Sequence, residues 1–490
     1  MKKIVKMLKL EKNPNYAAKI VRVDSIQPIP NADKLVKVFI DHDSAIIDSS
    51  IKVGDICVFF PVGSDINPQY LTSNNLYKDP ALNQDKNKNG FFGANGRVQM
   101  MKLRGEYSMG FLAPVETLEK TWPELKTMIW SRYINIQFDY IDDIPICWKY
   151  VVPKKTQPHK IDKVKYKKRF NRLIPGQFHF HYDTELLKNH IDEFSPFDDI
   201  DITVKVHGTS VILSNIRVKR KLNLWERIKR MIGYYVPTEE FGYVYSSRKV
   251  IKNKYLKKTD DYYDIYGCVA RDFSKYLAKG MTVYGEIVGY LEGENKYIQK
   301  NHDYGCQPGQ WKFMPYRITQ TSLLGFIKEW EVQEVIDWTN NLRSMCEHTH
   351  SGLAEKIMPM ILLYHGKAGD MYNNLYQKVA ISLTEEQYKQ EVEDYKQSET
   401  YDGQLPEYLE SDTKWVINKW RTAWLETMKK DGKLLLMEKR EPLCKNKVPR
   451  EGVVIRKCQD PKSEAFKLKS AAHWKIELME QDNGEINIEQ

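Results

Sequence analysis

Asp201-Ile-Thr-Val-Lys-Val-His-Gly-Thr-Ser210 is the stretch on which the reading of this chain turns. Ile202, Val204 and Val206 alternate with Thr203 and Lys205, the period-two pattern of a strand with one apolar face, so a strand is predicted over Asp201–Val206. His207-Gly-Thr-Ser210 then reads as a polar turn in which Gly208 can take a positive φ. Lys205 therefore lies near a strand end, its amine turned from the apolar side. Such an amine becomes a nucleophile when burial or neighbouring cations lower its pKa. A lysine before a turn is more often a solvated surface group, so the weight rests on the downstream residues.

Beyond this turn, Val211–Val218 continues as a strand paired with the first. Tyr243–Ser247 is a strand leading to Arg248 and Lys249, and Met281–Tyr290 is a strand carrying Glu286. Lys312–Ile318 offers Phe313 and Tyr316, aromatic faces that fit any purine or simply fill a core. Glu451 opens the apolar strand Gly452–Arg456, which includes Val453. Ala465–Ser470 alternates so that Lys467 and Lys469 point the same way. Two adjacent ammonium groups repel unless an anion lies between them, and a triphosphate supplies one.

Between these strands, residues 319–440 read as mostly helical: Leu323–Trp330, Val332–Met345, Glu385–Lys396 (N-capped by Thr384) and Lys414–Lys429. Val416, Trp420, Ala423 and Trp424 recur at three and four, an apolar stripe of the kind that fills a core. Glu185–Ile191 reads as an amphipathic helix and Trp225–Gly233 as a short basic one. His179 and His181, or Cys346-Glu-His-Thr-His350, lack the partners that a zinc tetrahedron requires.

Upstream, Ala18–Asp24, Leu35–Ile40, Val53–Pro61, Phe91–Val98 and Lys102–Leu112 are short β-rich runs between Gly, Pro and Asn turns. Closely spaced short strands favour a small barrel or sandwich over residues 1–150. Arg97, Lys102 and Arg104 are its candidate phosphate contacts. Residues 151–174 form a basic connector, a solvated linker or a phosphate contact, which leaves 175–490 as a second domain. The chain has 490 residues, 42% hydrophobic, with a net charge of +10, enough for globular domains and compatible with a polyanionic partner. Seven scattered cysteines without a CxxC pair, no membrane-length apolar run and no signal peptide imply a reduced, cytoplasmic protein, likewise in the host cytoplasm if it is phage- or virus-encoded.

Lys205-Val-His-Gly208 resembles the nucleotidyl-lysine motif of covalent nucleotidyltransferases. Its His-Gly-Thr form looks like that of phage double-strand-repair and trypanosome editing RNA ligases. Pro30-Asn-Ala-Asp-Lys-Leu35 resembles the opening of OB-fold tRNA-binding modules. The resemblance implies an α+β chain: an N-terminal OB-like β-barrel, then an ATP-grasp-like ligase domain of antiparallel sheets with a helical insertion at about 319–440. It implies ATP as cofactor with Mg²⁺ or Mn²⁺, RNA as partner in RNA repair, a monomer, and AMP carried on Lys205. Catalytic roles fall to Lys205, Arg248, Glu286, Glu451, Lys467 and Lys469, and metal binding to Glu451 and Glu286. Nucleotide contacts fall to Val204, Lys205, Gly208, Arg248, Glu286, Phe313, Tyr316, Val453, Lys467 and Lys469.

Two positions depart from the family. His207 stands where many relatives have aspartate, so no metal-water role is carried to it. Val204 stands where several RNA ligases have glutamate, so adenine is read by backbone or other side chains. DNA ligases and capping guanylyltransferases carry an OB domain after the lysine pair, and only about twenty residues follow Lys469 here. A barrel that comes first matches the Naegleria-type RNA ligases. A DNA-joining ligase or GTP-dependent capping enzyme is the alternative, then a non-catalytic RNA-binding protein. Nearby cations are expected to keep Lys205 deprotonated, and removal of residues 1–150 to leave the nucleotide chemistry intact.

Overall fold

A computed structural model describes residues 8–40, 42–151, 172–252, 264–398, 401, 403–434, 436, 440–460, 462 and 464–482. The basic connector thus lies almost wholly outside the described residues.

In the N-terminal domain the strands are β1 (Ala18–Arg22), β2 (Leu35–Ile40), β3 (Asp43–Asp48), β4 (Ile56–Pro61) and β5 (Gly110–Pro114). The run Ile-Cys-Val-Phe-Phe of β4 is buried on both faces because β4 is a central strand, between β5 and β1. Val58 and Phe60 join one apolar cluster with Ile20 and Tyr70, while Cys57 and Phe59 join another with Val21 and Val38. β2 and β3 form a separate hairpin sheet with residues 26–28, so the ladder is not continuous around the domain. Phe91–Val98, expected as a strand, makes only isolated bridges at Phe92 and Arg97. Its glycines and the Asn95 turn interrupt regular pairing.

The second domain is built on two sheets, antiparallel except where residues 185–186 join the smaller one in parallel. β6 (Asp199–Lys205) enters one sheet, and β7 (Thr209–Lys219) enters the other after a three-residue crossing. After the helix α1 (Leu224–Met231), β8 (Glu239–Ser247), the helix α2 (Ile265–Phe273), β9 (Met281–Gly289) and β10 (Trp311–Thr321) complete the larger sheet. Its order is residues 251–252, β8, β7, β9, β10, residues 327–329. α2 and α3 (Val332–His348) cover this sheet with Phe273, Val335 and Leu342 around Trp311 and Phe313.

The smaller sheet collects distant segments: residues 185–186, then β13 (Ala465–Lys469), β12 (Gly452–Lys457), β6 and β11 (Leu362–Lys367). α4 (Glu385–Lys396) and α5 (Asp412–Lys430) lie outside it, and Trp420, Trp424, Leu425 and Met428 of α5 pack on Ile200, Val453 and Phe466. The tryptophan stripe is core, with Trp415 buried beside it.

Three expectations need correction. Leu323–Trp330 is a turn and the short strand Ile327–Glu329, since Gly325 has φ 89° and closes the hairpin with Thr319–Thr321. Glu185–Ile191 is a short strand with two 3₁₀ turns, because Glu185 and Leu186 pair with β13 and a strand partner outweighs local helical periodicity. The 319–440 interval is not a wholly helical insertion: β11 within it pairs with β6, the strand that bears Lys205.

The final helix α6 (Ala471–Asp482) follows β13 directly and docks the two domains together. Ala471, Trp474 and Leu478 pack on Val62, Met100, Tyr107 and Met109 of the N-terminal domain. Lys188 pairs with Asp43, and Lys429 Nζ donates to the His42 carbonyl at 2.6 Å.

Candidate active site

Register across the smaller sheet aligns the lysines. Lys205 stands opposite Gly452, and Gly452 opposite Lys469. One row further on, Thr203 faces Val454 and Val454 faces Lys467. Strand periodicity puts Thr203, Lys205, Val454, Lys467 and Lys469 on one face, and all five line a cavity of about 180 Å³. A Cβ on Gly452 would come within 2.2 Å of the Leu468 carbonyl oxygen, so the residue after Glu451 must be glycine for β12 and β13 to approach.

The crossing from β6 to β7 sets the other wall. Gly208 packs so closely on β9 that a Cβ there would meet the Ile287 carbonyl at 2.4 Å and Glu286 Cγ at 2.7 Å. That contact brings Glu286 to the cavity, where one carboxylate oxygen accepts from Ser210 Oγ at 3.1 Å. Tyr316 of β10 lines the cavity, its ring 5.9 Å from that of His181.

Lys205 Nζ lies 2.8 Å from Glu451 Oε1, and Lys469 Nζ lies 4.0 Å from the same oxygen and 2.7 Å from Glu477 Oε2. Burial acts to lower the Lys205 pKa, but the Glu451 and Glu286 carboxylates outweigh it and raise it above the usual lysine value. The expectation that cations keep Lys205 deprotonated is therefore corrected: carboxylates dominate its surroundings. Burial acts to raise Glu451, yet Lys205 and His207 hold it well below the carboxylate range. Lys467 is pushed down to about 8 by burial and then by the Lys469 and Lys205 ammoniums, and its Nζ donates to the Thr184 carbonyl. Glu477, although buried, is held at about 2 by Lys469 and His473.

Arg248, just past β8, reaches the cavity and pairs with Asp183. Val204 and Gly208 also line it. Phe313 and Val453 do not: each points to the opposite face of its strand, Phe313 into the cluster with Phe273 and Val453 beneath α5. Arg97 is 3% exposed, packed on the Tyr150 ring and directed at the Leu478 carbonyl, which removes it from the surface a phosphate can reach. Lys102 lies over Tyr107, and Arg104 is exposed at the tip of a hairpin turn with φ 52°.

Other groups of the site escaped the sequence reading. His473 and Glu477 sit four residues apart on α6, a spacing that puts both on one helical face. That i, i+4 pair was the available signal, and it counts only once the segment is known to be helical. Asp183 and His302, and His181, which the sequence raises only as an incomplete zinc ligand, come from irregular segments with no periodic signature.

A divalent cation, implied by the resemblance, fits Glu451. Its Oε2 is buried without a hydrogen-bond partner and faces His207 Nδ1 at 3.6 Å. Among the described residues, the donors converging on it are His207 and His473 rather than Glu286.

Residues 17–115 match a family of OB-fold domains, and the N-terminal domain is an OB fold. No curated protein sequence matches the chain. Among solved structures it is similar to Naegleria gruberi RNA ligase with PPi, at 15% identity and a TM-score of 0.46, covering 95% of this chain and 99% of that one. A lysine-to-alanine mutant of that ligase with ATP and Mn aligns at 15% identity and 0.48, covering 94% and 98%. An arginine-to-alanine mutant with ATP and Mn aligns at 16% and 0.48, covering 95% and 99%.

Proposed function

We propose that the chain is an ATP-dependent RNA ligase that works through a lysyl-AMP intermediate, with Mg²⁺ or Mn²⁺. The observation that carries this is the row Lys205–Gly452–Lys469, which sets one half-buried amine beside a second cation in a cavity that Glu286, Glu451 and Tyr316 also line. The neutral Lys205 amine attacks the α-phosphorus of ATP; a P–N bond forms, the bond to pyrophosphate breaks, and the amine gives up one proton to the departing pyrophosphate or to solvent. Lys467 and Lys469 neutralise charge growing on the phosphoryl oxygens. The AMP then passes to an RNA 5′-phosphate, forming a P–O–P link as the P–N bond breaks. Attack by a 3′-hydroxyl forms the phosphodiester and releases AMP.

Lys205 must first lose its proton, which Glu451 and Glu286 oppose. A divalent cation on Glu451 would draw that carboxylate's charge away from Lys205 and would offset triphosphate charge. Tyr316 offers a ring to the adenine. The OB domain, and within it Lys102 and Arg104, would take RNA phosphates. Residues 1–150, 151–174 and 175–490 are proposed as OB domain, linker and nucleotidyltransferase domain, acting as a monomer in the cytoplasm. Among the described residues no helix is long and apolar enough to cross a membrane.

Incubation with α-labelled ATP and a divalent ion tests the reading. Label is expected on the protein, lost in Lys205→Ala, while the variant still seals pre-adenylylated RNA, which skips lysine chemistry. Labelling of Lys205→Ala equal to that of the parent would overturn the assignment.

A further inference from the structure

Behind Lys205 lies a buried group whose hydrogen bonds do not close. His207 is 8% exposed, Glu451 4%, His302 4% and His473 1%. The imidazole of His207 packs edge to face on His473 and His302, with centroids 4.6 and 4.9 Å apart. Glu451 Oε2 and His473 Nδ1 are both buried with no hydrogen-bond partner. Leaving such an atom unpaired forfeits its hydration with nothing in return, most of all for a charged one, so a group of them calls for a ligand.

The spacing says which kind. His207 Nδ1 and Glu451 Oε2 are 3.6 Å apart, beyond hydrogen-bond length. Two donors each about 2.1 Å from a tetrahedral ion are about 3.4 Å apart. One donor atom from each of His207, Glu451 and His473 lies within 4.8 Å of the others. The neighbouring His302 donates its Nδ1 proton to the Lys300 carbonyl at 2.8 Å, which leaves Nε2 as the lone-pair nitrogen. That Nε2 is buried without a partner. A second group, Asp201, His365 and Cys458, makes a useful contrast. There the imidazole and the thiol donate to the two oxygens of Asp201, at 2.8 and 3.3 Å, so protons alone account for it.

We propose that His207, Glu451 and His473 bind a divalent transition-metal ion directly, through two imidazole nitrogens and a carboxylate oxygen. Magnesium prefers oxygen ligands and keeps its water shell, whereas imidazole suits zinc, iron, nickel and copper. The replacement of aspartate by histidine at position 207, together with His473 from α6, then changes the ion that this site selects. His473 is supplied by the helix that packs on the OB domain, so that interface also positions the metal ligand. The ion's role in nucleotidyl transfer rests on the proposed ligase function; the donor geometry does not.

The test uses the full-length protein stripped of metal with a chelator. Titration with Co²⁺ is expected to give the intense visible absorption of a four- or five-coordinate ion, at one ion per chain. Mn²⁺ bound to the parent is expected to show the ¹⁴N hyperfine coupling of ligated imidazole in pulsed EPR. His473→Ala and His473→Gln should each weaken Co²⁺ binding by at least about tenfold, while His365→Ala leaves it unchanged. The nitrogen coupling needs no variant, so the proposal stays testable if the substitutions unfold the protein. A weak aquo-type Co²⁺ spectrum with no ¹⁴N coupling, or His473 variants within twofold of the parent, would overturn the site. Failure of label transfer from ATP with the coupling intact would sink the ligase reading and leave the metal site standing. Efficient labelling with Mg²⁺ and no coupling to Mn²⁺ would do the reverse.

Discussion

Glu441→Gln is expected to destabilise the second domain although it changes neither the cavity nor any residue lining it. Glu441 is 0% exposed and Arg450 3%, and the pair is bidentate: Nε to Oε2 at 2.9 Å, Nη2 to Oε1 at 3.3 Å. Oε1 also accepts from the Leu443 amide at 3.1 Å, which ties the turn before β12 to the pair. Removing one partner of a buried ion pair strands the other charge, at a cost of ~3–5 kcal/mol. Glutamine is isosteric and its carbonyl can still accept one guanidinium hydrogen bond, so the lower end applies, about 3 kcal/mol. For a domain of roughly 300 residues, with an unfolding entropy of about 2.1 cal/mol/K per residue, that corresponds to a Tm lower by roughly 4–5 °C. Denaturant unfolding followed by circular dichroism, with calorimetry for Tm, reads both numbers. Replacing both residues, as Glu441→Leu with Arg450→Met, should recover most of the loss, because no charge is then left uncompensated. A single variant within ~1 kcal/mol of the parent, or a double variant as unstable as the single, would refute the reasoning.

Lys469→Ala is expected to slow adenylylation about a hundredfold, the usual cost of one lost transition-state contact, measured as label uptake against ATP concentration; a rate within twofold of the parent removes Lys469 from the site. Lys467, held at about 8, should shape the pH dependence of stability. Between about pH 8 and 10.5 the unfolded chain keeps this proton and the folded one does not, so its contribution to stability rises with pH. The advantage of Lys467→Met over the parent should therefore be full at pH 7 and fade by pH 10; a difference flat across that window counts against the depressed pKa. Leu478→Asp, placed where α6 meets Val62 and Met100, should cost roughly 2–4 kcal/mol and reduce adenylylation, because the same helix holds Glu477 and His473 at the cavity. For the same reason, deletion of residues 1–150 should impair labelling rather than spare it. Full labelling by a folded truncation would show that α6 holds its place without the OB domain.

Local pattern was enough to find β6, because alternation of Ile202, Val204 and Val206 is a property of consecutive residues. The same holds for the lysine pair of β13 and for helices such as Glu385–Lys396, found with its N-cap at Thr384. The short strands of the N-terminal domain too could be read from turn chemistry and apolar runs, whereas their OB arrangement was implied only by the resemblance at Pro30–Leu35. What the sequence could not determine was which segments meet. β6 lies between β11 and β12, partners drawn from more than 150 residues downstream, and no spacing rule along the chain encodes that pairing. Side-chain face was equally hidden where both sides of a strand are apolar: Phe313 and Tyr316 look alike in sequence, yet one is core and the other lines the cavity. The protonation of Lys205 was decided by Glu451, 246 positions away in the chain and 2.8 Å away in space. Charge–charge energy depends on that second distance alone, so the cationic setting expected from sequence gave way to an anionic one once the sheet brought β6 and β12 together.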